Sequence, residues 1–156
     1  MKIKSVATCI SIAALKIQIP SGKLKLQDLW LHNPGVAFTM LTISRAMPRE
    51  MGPEEDQIIL AGMLHDIGFL ALAMLDPKRS DALHAAMEAA PEHLLARMIF
   101  IAEKIMPSLG MAEHVSPVLD NADWQALGID PDDAEQIIAQ TREDSELALQ
   151  FAVDVT

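Results

Sequence analysis

Residues 59–72 read ILAGMLHDIGFLAL, and with their flanks they make an 18-residue apolar run, residues 58–75, interrupted by His65 and Asp66. A run of that length is long enough to cross a bilayer, but an aspartate at its centre is costly in lipid. We therefore read it as a buried core helix. Burial makes its own demand, because a carboxylate or imidazole taken out of water has to be hydrogen-bonded, charge-paired or bound to metal. His65 and Asp66 are accordingly the first candidates for a site. Neighbours on a regular helix point about 100° apart, so the pair can serve one point only if the helix bends or ends beside it. Gly68 offers a place for such a bend.

Outward from this run the chain reads as helices separated by punctuation, with no alternating stretch long enough for a strand. The expected class is all-α, a bundle of about six to seven helices. Upstream, Gly52, Pro53, Glu54 and Glu55 start the helix that carries the pair, with proline at the first helical position and carboxylates near the positive end of the dipole. Before it, a helix is expected over residues 28–47, interrupted near its start by Asn33, Pro34 and Gly35, with Asn33 as a candidate N-cap. Downstream, Asp76 and Pro77 break the chain, and a short helix follows over residues 79–88. Pro91 and Glu92 open another, on which Leu94, Leu95, Met98, Ala102 and Ile105 form one apolar stripe; Pro107 and Gly110 close it. Asp130, Pro131 and Asp133 start the last, with Ile137, Ile138, Leu147, Leu149 and Phe151 at its apolar positions.

The first 20 residues superficially resemble a signal peptide, with Lys2 and Lys4 ahead of an apolar stretch. They lack the small-residue cleavage site, and Ile12, Leu15 and Ile19 fall at helical spacing, so residues 1–27 read as an amphipathic helix and a connector. At 156 residues the chain has the length of one domain, and 51% hydrophobic residues exclude intrinsic disorder. The net charge of −10 disfavours nucleic acid, which needs Lys and Arg on phosphates. That charge is polarised: residues 1–50 carry seven basic side chains against two acidic, a net of +5, and residues 120–156 carry one against ten, a net of −9. A single cysteine, Cys9, excludes an internal disulfide and a Cys-rich zinc site, and fits a reducing cytoplasm. Serine-nucleophile motifs, phosphate-cradling glycine loops and paired cysteines are missing, which leaves histidines and carboxylates to carry any chemistry. The ten methionines fall at helical spacing and read as gap-filling core; Trp30 and Trp124 read as packing residues, His93 and His114 as surface ones.

The run at residues 59–72 resembles the signature helix of the HD superfamily. More narrowly, LWLH at residues 29–32, the LAGMLHDIG phrase, LARMIFIAEKIM at residues 95–106 and ALGIDP at residues 126–131 resemble the HDOD subfamily, helical signalling domains found mostly in bacteria. The likeness spans most of residues 28–150 and implies a single HDOD-like domain over 1–156. In HD phosphohydrolases a first histidine, the His-Asp pair and a later aspartate bind divalent metal. By position these are His32, His65 and Asp66, with Glu103 where the later aspartate belongs. The chain departs from that pattern at Glu103, one methylene longer, and at Phe69, where the signature often has lysine. It departs again at Pro34 and Gly35, placed where the family's helix continues. Between Leu75 and Ala82 it also lacks further helices with their histidine pair, of which His84 would be a remnant.

The expectation that results is a non-catalytic signalling module without a cofactor. It acts in the cytoplasm through a regulatory protein partner and self-association, away from nucleic acid and membrane. Missing helical cover and a Met-rich, apolar composition favour the homo-oligomer. The alternative is a metal-dependent phosphohydrolase of a nucleotide or cyclic dinucleotide. In it His32, His65, Asp66 and Glu103 would hold Mn, Fe, Zn or Mg, and the ion would activate water.

Overall fold

A computed structural model describes residues 26–66, 92–106 and 119–154, and among them there are helices and no strand. The class is all-α. There are five α-helices, α1 (Leu26–Ala46), α2 (Glu55–Leu64), α3 (Leu94–Ile105), α4 (Asn121–Gln125) and α5 (Ala134–Asp154), with a 3-10 turn at Pro131–Asp133. Five is fewer than the six to seven expected for the whole chain; the helices expected over residues 1–20 and 79–88 lie outside the described residues. No described helix is long and apolar enough to cross a membrane.

α1 is the central element, packing against α2, α3 and α5. It runs unbroken through Pro34, contrary to the interruption expected there. A proline inside a helix removes one hydrogen bond and costs about 3 kcal/mol. Tertiary packing outweighs that cost: Val36, Met40 and Ile43 are fully buried, and Ala37 and Met47 nearly so. Asn33 is correspondingly not an N-cap. It is buried mid-helix, and its amide Nδ2 donates to the Met63 carbonyl on α2, 3.1 Å away.

α2 begins two residues later than the proline placement implied: Glu54 is the N-cap, its backbone N–H donating to Gln57 Oε1 at 3.3 Å, and Pro53 precedes the cap. Where α2 crosses α1 the two backbones nearly touch. A Cβ placed on Gly62 would lie 2.5 Å from Ala37 Cα, so only glycine permits this approach. α2 stops at Leu64 and His65–Asp66 form a turn, so the helix expected over residues 58–75 ends earlier than its apolar pattern suggests.

α3 keeps the expected stripe, with Met98, Ala102 and Ile105 buried, Leu94 and Leu95 half-buried against the core, and Ile101 added. Met40, Met47, Met98 and Met106 sit in that core, the gap-filling role methionine suits. Trp124 is buried there as well, and His93 is exposed. The chain turns sharply after α4 because Gly128 adopts φ +70°, in the left-handed region glycine favours. Leu127 and Ile129 are thereby both directed inward. Asp130 Oδ1 then accepts from Asp132 N at 3.1 Å, and the Pro131 turn leads into α5 as its sequence implies. Thr42 Oγ1 donates to Asp144 Oδ2 at 2.7 Å, which ties α5 to α1, and Gln140 Nε2, also on α5, donates to Asp144 Oδ1 at 3.1 Å.

Candidate functional site

Three elements deliver four side chains to one point. His32 comes from the first half of α1, His65 and Asp66 from the turn that ends α2, and Glu103 from the last turn of α3. His32 is 1% exposed. Its position follows from the continuity of α1 through Pro34. His65, which keeps helical dihedrals (φ −56°, ψ −35°), and Asp66 both reach this point from the turn that follows Leu64.

The ending is itself secured by side chains. The last four carbonyls of a helix lack intrahelical partners. His65 Nδ1 donates to the Gly62 carbonyl at 2.7 Å, and Asn33 Nδ2 takes the Met63 carbonyl. Consecutive residues of α1 thus do separate tasks, His32 entering the cluster and Asn33 holding the turn that presents its partners. The role of Asn33 was not readable from its sequence position, which marked it as a cap.

At the centre, His32 Nε2 and His65 Nε2 each lie 2.8 Å from Glu103 Oε1. A carboxylate only accepts, so both ring nitrogens donate. His65 Nε2 also lies 3.2 Å from Asp66 Oδ2, which is 3.8 Å from His32 Nε2. The two rings tilt at 47° with centroids 5.5 Å apart. His65 therefore donates from both nitrogens and carries a positive charge. Burial opposes that charge, but hydrogen bonds and charge attraction from Asp66 and Glu103 outweigh it and raise its pKa from 6.5 to about 10. Burial likewise opposes ionisation of Glu103, yet the two imidazoles bring it down from 4.5 to about 2. His32 Nδ1 is buried with no hydrogen-bond partner among the described residues.

All four residues singled out in the sequence are brought together here. The sequence model of the HDOD domain matches residues 1–106, which include the whole cluster. This chain belongs to the HDOD family. It is a shortened HDOD domain, a signalling-associated member of the HD superfamily. The match takes in residues 1–27, which carry none of the quoted motifs, and it ends before the ALGIDP phrase at residues 126–131. No curated protein and no solved structure matches the chain.

The superfamily implies a divalent ion at such residues, and the geometry can be tested for one. An ion held at about 2.1 Å by nitrogen and oxygen keeps two ligand atoms about 3.4 Å apart in tetrahedral geometry and about 3.0 Å apart in octahedral geometry. The donor atoms of His32, His65 and Asp66 all lie within 4.8 Å of one another, and the Asp66 separations of 3.2 and 3.8 Å suit an ion. The two Glu103 separations of 2.8 Å are direct hydrogen bonds. Glu103 Oε1 closes the cluster by hydrogen-bonding both rings, and His32, His65 and Asp66 are the three that could hold an ion.

Proposed function

We propose that this chain is a non-catalytic HDOD signalling module acting in the cytoplasm, which works by docking onto a regulatory protein and onto a second copy of itself. In this reading His32, His65, Asp66 and Glu103 form a structural tie that fixes α1, the end of α2 and α3 relative to one another. The observation that carries it is the placement of Glu103 Oε1, 2.8 Å from both Nε2 atoms, which gives each of them a partner without a ligand. Removing one partner of such a buried network leaves an uncompensated charge, so the tie has a structural value of its own.

A metal-dependent phosphohydrolase is the second reading, with the same four residues as ligands and Mn, Fe, Zn or Mg as the ion. One observation favours it: His65 donates Nδ1–H to a backbone carbonyl and aims Nε2 inward, as metal-binding histidines do.

Hydrolysis of a panel of nucleotides and cyclic dinucleotides in Mn²⁺, Fe²⁺, Zn²⁺ and Mg²⁺ separates the two. Release of phosphate or opened product no faster than from a His65→Ala control is expected. Turnover that disappears in that control would replace the first reading with the second.

A further inference from the structure

We infer that Glu103 keeps a divalent cation out of this cluster, its carboxylate accepting hydrogen bonds from both rings at the point where His32, His65 and Asp66 would otherwise converge on an ion. This rests on reading the cluster as a tie, and it deepens that reading by naming the residue that closes the site. Three of the four groups are spaced as ligands are, with both rings facing inward and Asp66 Oδ2 at 3.2 and 3.8 Å from them. Glu103 Oε1 is in direct hydrogen-bond contact with both rings, 2.8 Å from each Nε2. Glu103 makes this contact from the last turn of α3, beside the buried Ala102, so its backbone cannot retreat without moving core residues. The extra methylene is what carries the oxygen in. Shortening the side chain by one carbon withdraws the carboxylate by about 1.5 Å, enough to break both 2.8 Å hydrogen bonds and free the ring nitrogens. Two imidazoles and a carboxylate suit a first-row divalent cation.

The test is calorimetric titration of chelator-free full-length protein with Zn²⁺ and with Mn²⁺, with bound ion counted by elemental analysis. Wild type is expected to show no saturable site. Glu103→Asp and Glu103→Ala, each checked for helicity by circular dichroism, are expected to bind one ion per chain at least about tenfold more tightly than wild type, and to lose it on adding His65→Ala. A folded Glu103→Asp or Glu103→Ala with no gain would overturn the inference. So would one ion per chain in wild type abolished by His65→Ala, an outcome that does not depend on how the Glu103 variants fold. The hydrolysis panel distinguishes the two claims: wild type that binds an ion and hydrolyses nothing defeats this inference alone, and wild type that binds and hydrolyses defeats the signalling reading as well.

Discussion

His65 and Glu103 hold each other in charged forms that each would lose at a less extreme pH in the unfolded chain, so acid and base act on this domain through the same contact. For His65 the folded pKa is about 10 against 6.5, so its contribution is full below 6.5 and lost as pH rises toward 10. For Glu103 the folded pKa is about 2 against 4.5, so its contribution is full above 4.5 and lost as pH falls toward 2. The two windows overlap between 4.5 and 6.5. Urea midpoints measured across the pH range should therefore be highest there and decline on both sides. The alkaline decline between pH 6.5 and 9 should become shallower in Glu103→Gln, which keeps the length but leaves Asp66 as the one carboxylate holding the His65 proton. A wild-type midpoint constant over that alkaline range would show that His65 is not paired as described.

Among the elements, the junction of α1 and α2 decides whether the cluster exists. Asn33 supplies an N–H to a carbonyl that the helix end leaves unpartnered, and the consequence is separable from its shape. Asn33→Asp is nearly isosteric yet has no N–H to give, so it should be destabilised at least as much as Asn33→Ala, by about 1 to 3 kcal/mol in denaturant unfolding. If Asn33→Asp matched wild type, the donor role would be wrong. Gly62 is needed for a different reason, since any Cβ there meets Ala37 backbone at 2.5 Å. Gly62→Ala should force α1 and α2 apart and cost about 1 to 3 kcal/mol, in spite of alanine's higher helix propensity. A midpoint equal to or above wild type would mean that the crossing can relax.

At the scale of the whole molecule the surface carries the expectation of self-association. Phe38 is 48% exposed and Met51 42%, the two large apolar side chains left open among the described residues. Together with the +5 and −9 ends of the chain they favour a homodimer or larger assembly at micromolar concentration, to be measured by sedimentation or light scattering. Salt screens the charge attraction, with a Debye length of about 10 Å at 0.1 M, and leaves the apolar part, so association should weaken but persist at high salt. Phe38→Ser should shift the mass toward monomer while moving the unfolding midpoint by no more than about 0.5 kcal/mol, as surface changes do. A monomer at low and high salt alike would remove self-association from the functional reading.

Much of this protein is readable from short spans of its sequence. Periodicity and punctuation place α3 and α5, the Asp130–Pro131 start and the methionine-filled core, because each depends on residues within a few turns of one another. The four cluster residues are legible too, three from the HD-type phrases and Glu103 from its place in LARMIFIAEKIM. What tertiary structure alone decides is their arrangement. The continuity of α1 through Pro34 depends on buried neighbours that outweigh a lost hydrogen bond, and local rules see only the loss. The end of α2 at Leu64 interrupts an apolar run with no breaker at that position, and a side chain 30 residues away holds it. His32 and His65 reach Glu103 across 71 and 38 residues. Whether one extra methylene leaves an open metal site or closes it is set by where α3 stands against α1 and α2, a distance fixed by core packing and the Gly62–Ala37 contact.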